Sequence, residues 1–372
     1  MKSFVDIDTT FSAQPARLGV LLQRVDVGRG REELFTDQLP ELLSALAEQT
    51  RVASIRASNA IEGINVDPDR AERLAGGARF RNRSEREFAG YRDAIDGLMR
   101  AEPEPISVPL LLHLHRDVFR HVDGHGGEFK HDDNEIVSYE SGKRELIFRP
   151  VAAVDAPFMT QELVDRYRDA QTAQIAHPLV LLAAFILDLL AIHPVADGNG
   201  RLARLATTHE LLQLGYGVAR YVSVEQQIFE TKNAYYASLA ESQRGWHEGA
   251  HDLWPWVEYL IGTLAETYER FEARVAAVRG DDGANKQARV RVYIRQHAPQ
   301  RFTINDVRKA VPGISDQTIR LVLNELKADE EIRPEGSGRG AGWRRRESTA
   351  GSNSGRSAPL SPEGRERRGR RP

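Results

Sequence analysis

The chain has 372 residues, 41% of them hydrophobic, enough for two or three domains with a sizeable core in at least one. Charged residues make up 28% and the formal net charge is only -3, which excludes a globally basic nucleic-acid binder and a polyanion mimic. With no cysteine there are no disulfides, thiol nucleophiles or cysteine-ligated zinc, and a reducing, cytoplasmic compartment is the expectation.

Met1 to Pro15 carries acids and no apolar stretch, unlike a secretory signal. From Asp37 to Ile61 the spacing is helical, with Pro40 in the first turn, Leu42, Leu46 and Ala53 at repeating intervals, and Gly63 as the stop. Helices are expected over Ser84 to Arg100 and Pro109 to His121, and a loop over Asp123 to Gly127. Ile136 to Tyr139 and Leu146 to Phe148, joined by Glu140-Ser141-Gly142-Lys143, read as one isolated β-hairpin. A lone hairpin is marginal in water, so it must lie against something. Further helices follow over Phe158 to Asp169, Pro178 to Ile192, Arg201 to Leu214, Val224 to Ser242 and Asp252 to Val278. Pro178 to Ile192 is the most apolar run, but Asp188 interrupts it and it falls short of the roughly 20 residues a spanning helix needs, so no membrane partner is expected.

Between two of these helices, His193-Pro194-Val195-Ala196-Asp197-Gly198-Asn199-Gly200-Arg201 gathers His, Asp, Asn, two Gly and Arg. Backbone N–H groups of a Gly-rich turn entering a helix point toward the positive end of its dipole, which makes an anion site suited to phosphate. Arg201 and Arg204, three apart, are expected to lie on one face and reach one polyphosphate, and Asp197 to hold Mg²⁺. His193, with an imidazole poised near neutral pH, is suited to take a proton from an attacking hydroxyl.

The pattern His193-Pro194-x-x-Asp197-Gly198-Asn199-Gly200-Arg201-x-x-Arg204 resembles the signature of the Fic (filamentation induced by cAMP) family, HPFx(D/E)GNGRxxR, with eight identities. The likeness extends over most of Leu18 to Trp256, including the hairpin and an Asn233-Ala234-Tyr235-Tyr236 segment. It implies a mainly α protein, a Fic-type helical bundle with a β-hairpin flap, and an adenylyltransferase that moves AMP from ATP to a Ser, Thr or Tyr hydroxyl of a protein. In that resemblance His193 is the general base and Asp197 holds Mg²⁺. Asn199 and the loop amides with Gly198 and Gly200 meet the α-phosphate, and Arg201 and Arg204 the β- and γ-phosphates. The flap would align the target segment as an added strand. Gly198-Asn199-Gly200 separates the chain from the Doc-type kinases of the same fold, whereas Val195 departs from the usual Phe and is expected to loosen the loop.

Ser58-Asn59-Ala60-Ile61-Glu62-Gly63 puts an acid at a helix C-terminus, where the dipole disfavours it, so a cationic partner is expected. The segment resembles the family's inhibitory motif (S/T)xxxE(G/N), placed N-terminally as in class II members. That resemblance implies that Glu62 pairs with Arg204 in the space the γ-phosphate needs, and that the same carboxylate can position water to remove AMP.

Beyond a linker at Arg279 to Asn285, helices are expected over Ala288 to His297, Ile304 to Ala310 and Asp316 to Asp329, with Ser315 as an N-cap and a Gly-rich hairpin ending near Trp343. This resembles a winged helix-turn-helix domain. Its Gln317, Thr318, Arg320 and Asn324 are placed to meet a DNA major groove, and Arg333, Arg339 and Arg344 to Arg346 a backbone; protein docking or dimerisation is the other use of such a unit. The expected organisation is thus an N-terminal helical region (1–105) carrying the inhibitory helix, a Fic core with following helices (106–280), a winged helix (286–345) and a disordered basic tail (346–372). Partners expected are an unspecified target protein, the chain itself as a substrate, DNA through the winged helix, and a second copy in a homodimer. The competing function is a transcriptional regulator whose Fic core senses nucleotide; an intact His193 favours the enzyme.

Overall fold

The computed structural model describes residues 2–38, 40–75, 77–100, 102, 104–122, 126–140, 143–279, 286–311, 314–336 and 342–346. Residues 280–285 of the expected linker, Asp123, the hairpin residues Ser141 and Gly142, Arg339 and the tail beyond Arg346 lie outside the described residues.

The N-terminal third forms α1 (Ile7–Ser12), α2 (Ala16–Gln38), α3 (Pro40–Ile61), α4 (Pro68–Ala75), α5 (Arg83–Arg100) and α6 (Val108–Val118). The helical pattern expected from Asp37 to Ile61 becomes α3, which begins at Pro40. The 23-residue α2 precedes it, and its Gly19, Gly28 and Gly30 blur the apolar periodicity on which a sequence reading depends. Gly28 has a packing reason: a Cβ there would come within 2.6 Å of the Tyr268 ring.

Strands β1 (Ile136–Glu140) and β2 (Lys143–Phe148) pair antiparallel, Val137 opposite Leu146, with an irregularity between Ile136 and Val137. Val137 and Phe148 are buried, and Phe148 stacks on His247 at 5.4 Å, so the hairpin is pinned at its base. Leu146 and Ile147 remain 45% exposed, an apolar edge on the outer half.

Behind the hairpin lie α7 (Ala156–Thr172), α8 (Pro178–Ile192) and α9 (Asn199–Gln213). Every residue of α8 from Leu179 to Ile192 is buried, as suits a helix that is hydrophobic all round. Asp188, fully buried within it, is satisfied by the Ser3 amide and hydroxyl at 3.0 and 2.9 Å and by the Trp246 indole at 2.6 Å. The helix expected from Val224 to Ser242 is instead α10 (Val224–Glu230) and α11 (Lys232–Gln243), broken where Thr231 leaves helical geometry at φ -110°. That break lets Lys232 Nζ cap the Ile61 carbonyl at the end of α3, at 2.8 Å. The long α12 (Trp254–Arg279) packs along α2.

The C-terminal unit comprises α13 (Lys286–Val292) with a π turn to His297, β3 (Arg301–Phe302), α14 (Ile304–Ala310), α15 (Asp316–Ala328), β4 (Ile332–Glu335) and β5 (Gly342–Arg345). Its sheet runs β3-β5-β4, antiparallel throughout. Thr303 and Asp306 close a capping box on α14, Ser315 caps α15, and Ile319, Val322, Leu323 and Leu326 form the buried face of α15. Helix α14 rests on α3, and Arg344 of β5 reaches Asp69 of α4 at 2.6 Å, so the unit is docked on the N-terminal helices. Among the described residues no helix is long and apolar enough to cross a membrane.

Candidate active site

The loop between α8 and α9 is held by its own polar side chains. His193 ends α8 in the left-handed region at φ 54°, its amide still bonded to Leu189 O. The Asn199 side chain accepts from the Val195 amide at 3.1 Å and donates to the Val195 carbonyl at 2.7 Å, closing a ring across the turn. Val195 is fully buried. Gly198 takes φ 84° against the Phe119 ring, which a Cβ would meet at 2.8 Å. The N-cap Gly198 supplies no side-chain cap to α9, as suits an anion site at a helix start.

His193 Nδ1 lies 3.2 Å from the Leu190 carbonyl, which only accepts, so the proton sits on Nδ1 and Nε2 keeps a lone pair for a substrate. Burial pushes this imidazole down to about 4, with the nearby Lys130 charge working the same way against the Leu190 bond and the Glu62 and Asp197 carboxylates. The expectation of an imidazole poised near neutral pH thus meets a burial that favours its neutral form. Asp197, partly exposed, is shared between Arg83 at 3.1 Å and Arg201 at 3.6 Å.

The two loop arginines part company. Arg201 turns under the loop, 2% exposed, against Glu87 at 2.9 Å with its guanidinium 4.9 Å above the Phe119 ring. Arg204 turns toward α3, donating to Ser58 Oγ at 2.8 Å, Ser58 O at 3.1 Å and Glu62 Oε1 at 2.7 Å. The expectation that both serve one polyphosphate therefore meets different surroundings, because the acids available to them sit on α5 and α3. Burial opposes the Arg204 charge, but Glu62 and neighbouring groups outweigh it and its pKa stays raised. The Glu62 carboxylate also lies over Gly200, where a Cβ would meet Oε1 at 2.4 Å, so an acid already occupies the mouth of the α9 N-terminus. Gly63 follows in the left-handed region at φ 75°.

Residues 105–211 match the model of the Fic/DOC family. The chain carries a Fic domain. Proteins named protein adenylyltransferase Fic resemble it at low identity: that of Drosophila yakuba is 29% identical over 167 residues, 45% of this chain and 29% of the relative, and that of Drosophila melanogaster 28% over the same length and 30% of the relative. The chain therefore spans under a third of the length of these relatives in the matched region. Among solved structures, a Fic family protein from Desulfovibrio desulfuricans G20 superposes with TM-score 0.58 at 22% identity, covering 92% of this chain and 98% of that one. Fic-1 (residues 134–508) of C. elegans gives 0.54 at 23%, covering 69% and 72%. These likenesses show the fold.

Several residues around the Fic loop carried no readable signal. Lys130, 3% exposed, donates from Nζ to the Ile192 carbonyl at 3.2 Å and from its amide to Pro194 O at 2.9 Å, backing His193 from beneath; burial lowers its pKa to about 8. His115 accepts from the Gly127 amide and meets the Asp197 carbonyl at 2.9 Å. Glu87 and Arg83 sit on α5, paired with each other at 2.5 Å as well as with the loop. In the sequence these are ordinary polar residues of loops and helix faces, and only the Gly-rich neighbourhood of Lys130 hinted at a special turn. Tyr235, buried beside Arg204, has its pKa raised by burial to about 12.

The expected basic strip of the C-terminal unit is largely spent on internal contacts. Arg344 pairs with Glu335 and Asp69, Arg346 with Glu330, and Arg345 donates to the Ala298 and Arg295 carbonyls. Gln317, Arg320, Asn324 and Arg333 are exposed, while Thr318 is half-buried.

Proposed function

We propose that the protein transfers AMP from ATP to a hydroxyl of a protein and that Glu62 holds it inactive. One observation carries this reading: the Glu62 carboxylate sits at 2.7 Å from Arg204 and against Gly200, where the terminal phosphate of an incoming nucleotide needs both. In the released state the target hydroxyl gives its proton to His193 Nε2, its oxygen bonds to the α-phosphorus, and the bond from that phosphorus to the bridging oxygen breaks to release pyrophosphate. The first-turn amides of α9 stabilise the charge that develops on the α-phosphate. The neutral His193 gains basicity when the phosphates arrive, because added negative charge favours imidazolium. Asn199 acts by bracing the loop, since its amide is engaged with Val195, and Arg201 by holding Asp197 and the underside of the turn. Asp197 is the residue placed to hold Mg²⁺, which would neutralise phosphate charge. Its part-exposed carboxylate would be the protein's ligand to the ion, and the described residues hold no group of three or more acids and imidazoles.

Support for the transfer chemistry comes from the Fic domain and from relatives named adenylyltransferases. Purified wild type, Glu62→Gly and Glu62→Gly/His193→Ala, incubated with Mg²⁺ and ATP labelled on the α-phosphate, test the whole reading. Self-labelling is expected to be low, raised and abolished in that order. Equal labelling of the first two overturns the inhibitory role, labelling that survives loss of His193 overturns the mechanism, and silence in Glu62→Gly favours a nucleotide-sensing regulator.

A further inference from the structure

A cavity of about 820 Å³ lies on the reverse side of α3, walled by that helix, α10, α12 and the C-terminal unit. Its composition is lopsided. Seven arginines line it against one carboxylate, Glu48, which is already taken by Arg51 at 2.8 Å. Arg270 is matched by Glu230 and Glu266, Arg92 by Asp93, and Arg301 by Glu335. Arg56, Arg274 and Arg345 have no ion pair among the described residues; Arg274 and Arg345 donate only to backbone carbonyls.

Unmatched cations drawn together in a half-buried space are a cost that folding alone does not explain. Burial and then Arg270 push the Arg274 guanidinium below its usual value, and burial does the same to Arg345. Next to them His297 is 5% exposed with neither ring nitrogen hydrogen-bonded, and Thr50, 2% exposed on the cavity wall, has an unpartnered hydroxyl. The remaining wall mixes apolar side chains, Val52, Ile55, Phe88 and Phe229 among them, with uncharged polar ones such as Gln49, Asn65 and Gln226. A space of this size, where apolar side chains and convergent cationic groups share the wall, suits a small molecule that has both an apolar and an anionic part.

We propose that this cavity binds a small organic anion, an apolar body with one acidic head, the head held by Arg274 and Arg345 with Arg56 at the rim. The site is independent of the nucleotide chemistry proposed above, because Arg204, Glu62 and His193 lie outside it.

The dye 8-anilino-1-naphthalenesulfonate supplies both features, and N-phenyl-1-naphthylamine is its uncharged counterpart. Fluorescence titration of the full chain, with saturating ATP present to cover the catalytic loop, is expected to show one saturable site for the sulfonate and at least tenfold weaker binding of the neutral dye. Arg274→Met/Arg345→Met should weaken the sulfonate at least tenfold and leave the neutral dye unchanged. Arg56→Gln, at an exposed position that does not threaten folding, should weaken it severalfold and serves if the double variant does not fold. Equal binding of the two dyes, no saturable binding below millimolar concentration, or affinity for the sulfonate unchanged in Arg56→Gln and in the folded double variant would each overturn the site.

Discussion

Arg201 and Glu87 form an ion pair 2.9 Å long in which each side chain is only 2% exposed, joining the start of α9 to α5. Removing Glu87 leaves the buried Arg201 guanidinium only the more distant and partly exposed Asp197, 3.6 Å away, and the penalty for breaking a buried pair is typically about 3–5 kcal/mol. Glu87→Ala is therefore expected to lower unfolding free energy by about that much, read from urea denaturation. Glu87→Gln, which keeps a hydrogen-bond acceptor beside Arg201, should lose less. A loss under about 1 kcal/mol in Glu87→Ala, no more than a surface pair is worth, would mean that the loop is not anchored there.

The position at which a family Phe is usual holds a Val that is fully buried and tied through both backbone groups to Asn199. Burial and these two bonds hold the smaller side chain's position within the turn. Val195→Phe should destabilise the fold by about 1–3 kcal/mol, the usual penalty for overpacking, with a lower midpoint in thermal melts. A variant as stable as wild type or more so would show spare room beneath the loop.

What could be read from the sequence was whatever rests on local chemistry. Helix α8 announced itself by an apolar run, the hairpin by alternation around a Gly-containing turn, α15 by Ser315 and its apolar stripe, and the loop between α8 and α9 by a density of polar residues between helices. An acid at a helix end called for a cation, but only the resemblance to the inhibitory motif named Arg204 as the partner of Glu62. The rest depended on long-range packing. Lys130, Arg83 and Glu87 gain meaning only when α5 and the segment after α6 close on the loop. Likewise α2 is helical because Tyr268 and its neighbours on α12 give it a surface, and Arg344 is an internal tie because Asp69 is there to receive it.

The contact of α2 with α12 also gives the fold a pH dependence that begins at Glu32. This side chain is 6% exposed, accepts from the Tyr268 hydroxyl at 3.0 Å and lies so close to Gly217 that a Cβ there would meet Oε1 at 2.4 Å. Burial raises its pKa from 4.5 to about 7, outweighing the Tyr268 and Val218 hydrogen bonds that pull it down. In the unfolded chain the same carboxyl loses its proton near 4.5. Between those values the folded state holds a proton that the unfolded state has released, so raising the pH favours unfolding. The stabilising contribution is complete below about 4.5, falls as the pH rises through about 7 and is absent above it. Its slope is at most about 1.4 kcal/mol per pH unit, and the whole is on the order of 3 kcal/mol. Glu32→Gln, neutral at every pH and close in shape, should remove this component while leaving those of other groups. The difference in unfolding free energy, variant minus wild type, should therefore increase from pH 4.5 to pH 7 and then level off. A difference that is flat across this interval would mean that burial does not raise the Glu32 carboxyl, and one that instead falls between acid pH and 4.5 would mean that it is buried as a stabilised anion.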